Sequence, residues 1–181
     1  MTLTLAQLDT IPEAEAAFKF AACCGSSKWV EAMVSRRPFG TRENVLAAAE
    51  EIALTLLPSD WLEALAHHPR IGEAHAGAGP IVSATAAAWS KGEQIAASRA
   101  TEDTRAALIE ANAEYEKRFG FIFIICAKGR SAEEILSALR ERLANEPDAE
   151  IFIAAREQKQ ITLLRLEKLI PGSRRPRGAR P

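Results

Sequence analysis

Signals that start and end helices recur along this chain at short intervals, and they constrain its fold more than any other feature. Residues that cap helices precede apolar residues at helical spacing, and a proline or glycine closes most of these segments. Helices are predicted over 12–24, 28–36, 42–57, 60–67, from Ser90 onwards, and over 104–119, 132–145 and 147–169, after a capped turn at 4–7. The pattern therefore predicts an all-α fold of about seven to eight helices.

Several helix caps are predicted individually. Two pairs match the capping box, in which each residue's side chain accepts a hydrogen bond from the other's backbone amide. These pairs are Thr4 with Gln7 and Ser131 with Glu134. Further helix starts are predicted at Ser27, Thr41 and Ser59.

One apolar stretch, FIFIICA at 121–127, has the composition of a β-strand. A single strand cannot form a sheet, and the chain offers no obvious partner for it. The abundance of alanine elsewhere favours helices. We therefore predict a buried extended segment or an irregular turn at this position.

The chain is expected to be one compact domain over residues 1–170 with a flexible basic tail over 171–181, whose sequence is PGSRRPRGARP. It contains no run of about 18 apolar residues, so no membrane span is expected. The first residues lack the basic region of a signal peptide, and the last three are not a peroxisomal SKL signal. A net charge of −1 points to neither nucleic acid nor membrane as a partner. A cytoplasmic protein is expected.

The three cysteines, Cys23, Cys24 and Cys126, do not form a pattern typical of zinc sites or disulfide frameworks. We interpret them as small core residues in a reducing compartment.

Two of the three histidines, His67 and His68, are adjacent and precede Pro69. A residue before proline is forced out of the helical conformation, so His68 is expected to leave its helix and to face a cleft as a catalytic group. The alternative for His67 is a cation that complements the helix dipole. A metal site is the other alternative, and its ligands would be His67, His68, Glu73 and His75.

The segment WSKGEQ at 89–94 allows two interpretations. Ser90 and Glu93 match a capping box, which needs no further function. However, the pair Lys91-Gly92 is poor helix material, so Glu93 could instead face a cleft. A third polar candidate is Arg165, which lies in the apolar segment ITLLRLEKL. Its expected partner is Glu93, another carboxylate or a substrate.

Taken together, HPRIG, WSKGEQ and YEKRFGFIFIICAKGRS, in this order and spacing, resemble the 2-oxo-4-hydroxy-4-carboxy-5-ureidoimidazoline (OHCU) decarboxylases. The N-terminal FAACCGSSKWVEAMVSRRPF and the C-terminal AREQKQITLLRLEKLI are also similar to this family. The resemblance reaches Ile170, and the motif positions carry no substitution. The departures lie in the loop 73–83, at His67 and in the basic tail.

The resemblance implies a helical homodimeric enzyme without cofactor or metal, which forms (S)-allantoin from OHCU in urate degradation. It implies that His68 and Glu93 are catalytic. The residues that it implies bind the substrate are Pro69, Ser90, Lys91, Gly92, Glu93, Gln94, Phe123, Ile124, Ile125, Cys126, Ala127 and Arg165. The alternative from another class is a non-catalytic helical interaction domain.

Overall fold

The computed structural model describes residues 2–71, 85, 89 and 100–172. Within these residues the chain forms eight α-helices and no strand. Their bounds are α1 Leu5–Thr10, α2 Glu13–Cys23, α3 Ser27–Ser35, α4 Arg42–Ala53, α5 Pro58–Ala66, α6 Glu102–Phe119, α7 Ala132–Arg142 and α8 Pro147–Leu169. The predicted all-α class is confirmed. The helix predicted from Ser90 and the tail from residue 173 lie outside the described residues.

Most of the predicted caps are present. Both capping boxes form, and the side chain of Thr41 accepts a hydrogen bond from the backbone of Asn44 at 3.1 Å. The prediction for Ser27 is wrong by one residue, because Ser26 caps α3 and accepts from the Trp29 amide at 3.3 Å.

Two further differences concern α4 and α5. The first ends at Ala53, several residues before the predicted stop at Pro58. Ser59 does not cap α5, since the helix already begins at Pro58, where a proline without an N–H fits the first turn. The Asp60 carboxylate accepts from the Leu57 amide at 2.8 Å and thereby gives a partner to a backbone N–H at the start of α5.

Helix α8 is central, because it packs against α2, α4, α5 and α6. Its C-terminal half contacts an apolar core built around Phe20, Trp29 and Met33 of α2 and α3. A second core lies between α6 and α7 around Tyr115. A smaller cluster joins α5, the segment after α6 and α8, and its buried members are Leu65, Ile124, Ala154 and Ile161. This junction brings the end of α5 to the middle of α8.

The apolar segment after α6 is irregular, as predicted. Gly120 ends α6 with a φ of 78°, a conformation that glycine adopts without strain. The following residues run without helix or strand, and most of their side chains are buried. In the described part of the chain, no helix is both long enough and apolar enough to cross a membrane.

Candidate active site

The two adjacent histidines lie at the C-terminal end of α5, where the helix unwinds. His67 is the C-cap residue, and the His68 amide donates to the Leu65 carbonyl oxygen at 3.1 Å. The helix ends here because Pro69 follows, as the sequence predicts. His68 is therefore the first residue beyond the C-cap, with its side chain turned toward α8.

Two contacts with α6 hold the segment after His68. The Arg70 guanidinium makes two hydrogen bonds to Glu116, at 2.9 Å and 2.8 Å. The buried Asn112 side chain donates to the Ile71 carbonyl oxygen at 2.9 Å. Because a forked arginine–carboxylate pair fixes both distance and orientation, these contacts position His68 through its own backbone.

His67 and His68 have different surroundings. The His67 ring packs on the backbone of Gly25, so closely that a Cβ atom at that glycine would lie 2.5 Å from His67 Cγ. His67 thus locks the end of α5 onto the turn between α2 and α3. This contact supports a structural interpretation of His67.

His68 lines a small cavity of about 30 Å³ together with Pro69 and the segment 123–128. Burial lowers the pKa of His68 to about 3, and the positive charge of Arg165 acts in the same direction. His67 adds a smaller effect of the same sign, while contact with Gln158 opposes the shift. The ring is therefore neutral at physiological pH.

Polar side chains at positions 158, 162 and 165 share one face of α8, and those of Gln158 and Arg165 act on His68. Gln158 is 4% exposed and Arg165 is 3% exposed. The Nη1 atom of Arg165 donates to the Ala22 carbonyl oxygen at 3.3 Å, which ties this arginine to the end of α2. Arg165 is thus a buried cation next to His68, at the position that the sequence predicted for an anion-binding group.

Two buried atoms of this site lack a hydrogen bond to any described residue. They are Nε2 of His68 and Oε1 of Gln158. Because buried polar atoms in folded proteins almost always have partners, such atoms mark positions where a ligand or a change of protonation can supply one.

The segment of Phe123, Ile124, Ile125, Cys126 and Ala127 forms the opposite wall of the cavity. The Cys126 amide donates to Glu157 Oε2 at 2.7 Å, and the Ile124 carbonyl oxygen accepts from Arg142 Nη1 at 2.8 Å. These two contacts hold the backbone in its irregular path. They also mean that the Cys126 amide already has a partner on α8.

The structure brings together His68, Pro69, the segment 123–127 and Arg165, which are four of the predicted parts of the site. Ser90, Lys91, Gly92, Glu93 and Gln94 lie outside the described residues, as do Glu73 and His75. Among the described residues, no group of three or more side chains could hold a metal ion. Gln158 was not predicted from the sequence, although its spacing of seven residues from Arg165 indicates a shared helix face.

A second, larger cavity of about 420 Å³ lies between α3, α4, α5 and α8. It is mostly apolar, and its walls include Trp29, Trp61 and Phe152. Gln158 and Thr162 also line it, so the cavity borders two side chains of the polar face of α8. This cavity was not predicted from the sequence, because it depends on how four helices pack.

Fold and site together define an all-helical protein in which a neutral, partly buried histidine and an irregular backbone segment line a small cleft, with a buried arginine near the histidine. The family description "OHCU decarboxylase" matches residues 9–167, and the chain belongs to that family.

Named relatives agree with this assignment. The uric acid degradation bifunctional protein TTL of Arabidopsis thaliana is 41% identical over 148 residues, which are 81% of this chain and 45% of that protein. The chain thus spans less than half the length of this relative. The OHCU decarboxylase of Amia calva is 37% identical over 142 residues, which are 77% of this chain and 78% of that protein.

A solved structure is also similar. A crystal structure of OHCU decarboxylase in the presence of (S)-allantoin superposes with a TM-score of 0.72 at 36% sequence identity. The match covers 85% of this chain and 98% of that chain. It supports the helical architecture over most of the described residues.

Proposed function

We propose that this chain catalyses the decarboxylation of OHCU to (S)-allantoin in urate degradation, with His68 as a catalytic residue. The observation that carries the proposal is the position of His68 at the cleft between Pro69, the segment 123–127 and α8. Membership of the OHCU decarboxylase family supplies the reaction class, a carboxy-lyase.

The chemistry requires a group of this kind. When the bond to the carboxylate carbon breaks, CO₂ leaves and its bonding electrons remain on the ring carbon. The imidazoline ring with its neighbouring carbonyl can accept these electrons as an enolate-like intermediate. A proton must then reach that carbon from one face only, because the product is a single enantiomer. The protein therefore has to orient the carboxylate, stabilise the anion and deliver the proton.

A neutral His68 fits this sequence of events. Its pKa is low because the ring is withdrawn from solvent and lies near the positive charge of Arg165. An anionic substrate bound next to the ring favours the imidazolium and raises that pKa. His68 would then take up a proton as the substrate binds and deliver it to the carbanionic carbon after CO₂ departs.

We assign supporting roles to the other predicted residues. Arg165 would balance the charge of the substrate, and Pro69 with the backbone of 123–127 would shape the pocket around the ring. Glu93, within the segment Ser90 to Gln94, would bind a ring N–H or hydroxyl group of the substrate. This last assignment rests on the sequence resemblance.

We further propose a cytoplasmic homodimer without cofactor or metal. Two large apolar side chains at the larger cavity support an interface, since Leu54 at the end of α4 is 81% exposed and Phe152 of α8 is 57% exposed. All three cysteines are described, and none forms a disulfide, which fits a reducing compartment.

The decisive experiment supplies freshly generated OHCU, made in the cuvette from urate by the two preceding enzymatic steps, and follows the product by circular dichroism. An active protein produces (S)-allantoin faster than the spontaneous decay, which yields racemic product. Racemic allantoin at the rate of the buffer control would contradict the proposal and favour a non-catalytic interaction domain.

Glu93→Gln separates the two interpretations of the WSKGEQ segment. Glutamine also serves at the third position of a capping box, so a purely capping role predicts unchanged turnover and a stability change well under about 1 kcal/mol. A substrate-binding role predicts loss of turnover with the fold intact. Turnover by the assay above and the thermal midpoint distinguish these results.

A further inference from the structure

The two unpartnered atoms at the site, His68 Nε2 and Gln158 Oε1, belong to side chains that contact each other. A glutamine Oε1 can only accept a hydrogen bond, whereas a histidine nitrogen donates when it carries a proton and accepts when it does not. The two atoms can therefore satisfy each other only if Nε2 is protonated. This condition links the protonation of His68 to the orientation of the Gln158 amide.

Thr162 fixes that orientation. The Thr162 hydroxyl donates to the backbone carbonyl oxygen of Gln158 at 2.9 Å, so its single proton is already engaged. It can then only accept from the side-chain amide of Gln158, and it does so from Nε2 at 3.1 Å. A flipped amide would place two acceptors against each other. Gln158 must therefore direct its NH₂ group to Thr162 and its Oε1 atom away from it.

The charges around His68 make this acceptor important. Among the described residues, the groups that act on the ring are Arg165 on α8 and the neighbouring His67, and both oppose a positive charge there. Gln158 acts in the opposite sense. If His68 carries a proton during turnover, the Gln158 amide oxygen is the described group that stabilises it.

We propose that Gln158 is a positioning residue for His68, whose Oε1 atom accepts a hydrogen bond from Nε2–H and leaves Nδ1 to exchange the proton with the substrate. This inference rests on the proposed function for its catalytic meaning. It assigns the Nε2-protonated tautomer to the neutral ring and the same hydrogen bond to the imidazolium. The amide acts through His68 and does not itself react.

The test is nitrogen-15 NMR of histidine side chains in the full chain, which is tractable because the sequence contains three histidines. His68→Asn and His67→Asn identify the signals. In the wild-type protein we expect His68 to be neutral at pH 7 and protonated at Nε2. In Gln158→Leu we expect a mixture of tautomers, whereas Gln160→Leu, a substitution at an exposed glutamine of the same helix, should leave the spectrum unchanged.

Gln158→Glu keeps the shape of the side chain and covers the case in which the leucine variant does not fold; in it the Thr162 hydroxyl must turn its proton from the backbone carbonyl oxygen of residue 158 to the new carboxylate. Its carboxylate still accepts from Nε2–H and adds a negative charge, so the His68 titration should move upward by at least about one pH unit. A Nδ1-protonated wild-type ring, or a titration unmoved in Gln158→Glu, would overturn the proposal.

Enzyme kinetics provide a second test of the proposal. Gln158→Leu should lower kcat about 10- to 100-fold, the range expected for losing a hydrogen bond to a charged group, with a smaller effect on KM. The NMR result does not depend on turnover. An inactive wild-type protein with the predicted tautomer would therefore contradict the proposed function alone, and an active one with the other tautomer would contradict only the role of Gln158.

Discussion

Two buried polar clusters lie along α8, and they differ in how completely their hydrogen bonds are formed. The Glu150 cluster consists of Glu150, Tyr115, Arg142 and Asn145. Glu150 is fully buried and accepts from the Tyr115 hydroxyl, from Arg142 Nε at 2.7 Å and from Asn145 Nδ2 at 2.6 Å. Arg142 also reaches the Ile124 carbonyl oxygen.

The His68 cluster consists of His68, Gln158, Thr162 and Arg165. It lies further toward the C-terminal end of α8, and two of its buried atoms lack a partner among the described residues. The comparison distinguishes a polar network that holds the fold from one whose hydrogen bonds can change with the protonation of His68. Complete networks stabilise a structure, whereas unsatisfied ones reduce its stability and are kept where function needs them.

Removing the cation of the Glu150 cluster should have the largest effect on stability. Arg142→Leu leaves a buried carboxylate without its counterion, and we expect a loss of about 3–5 kcal/mol in the free energy of unfolding. Urea denaturation measures it. Arg140→Leu, a substitution at an exposed arginine of the same helix, is the control and should change stability by less than about 0.5 kcal/mol. Equal effects of the two variants would mean that the Glu150 cluster does not hold the fold.

Removing the histidine of the His68 cluster should act on turnover instead. His68→Asn is expected to lower the rate of (S)-allantoin formation about 10²- to 10⁴-fold, the usual contribution of a general acid or base, while the helical circular dichroism stays unchanged. His67→Asn should be much milder. Equal damage from both histidine variants would show that the catalytic group is misassigned or that the pair acts together.

Gly25→Ala tests the connection between the two histidines and the fold. The new Cβ atom would meet the His67 ring at 2.5 Å, so the ring and the end of α5 must move. We expect a stability loss of about 1–3 kcal/mol and a decrease in turnover smaller than that of His68→Asn. Thermal unfolding checks this. Gly172→Ala introduces its Cβ into open space and should change neither quantity.

The smallest effect is expected from Arg165→Lys. Lysine keeps the positive charge beside His68 but loses the planar guanidinium that can donate two hydrogen bonds to a carboxylate or a ureido group. We expect KM to rise about tenfold, equivalent to about 1.4 kcal/mol, with kcat less affected. Arg156→Lys at an exposed position of α8 serves as the control. An unchanged KM would remove Arg165 from the substrate site.

The sequence predicted best those features that depend only on residues close together in the chain. The box of Ser131 and Glu134 depends on atoms three residues apart, and it forms as predicted. Competing caps were harder to rank, because Ser26 and Ser27 offer the same hydroxyl one residue apart. In the structure Ser27 Oγ instead contacts Glu63 of α5, at 2.5 Å, a partner that no local pattern indicates.

The candidate site shows the same difference between features set by local sequence and features set by tertiary packing. The exit of His68 from α5 follows from Pro69 alone, and the burial of Arg165 follows from the apolar residues beside it. The contact of Gln158 with His68 joins residues 90 positions apart, and it depends on how α5 meets α8. The 420 Å³ cavity likewise depends on the packing of four helices. Such features require the tertiary structure.

Helix α8 carries both polar clusters on one continuous backbone, and this limits how the chain can vary in length. Each residue added to a helix turns everything beyond it by about 100° and advances it by about 1.5 Å. One residue inserted between Glu150 and Gln158 would therefore rotate Gln158 and Arg165 away from His68 while Glu150 kept its partners. We expect homologous sequences to align without gaps from Glu150 to Arg165, even where their loops differ in length.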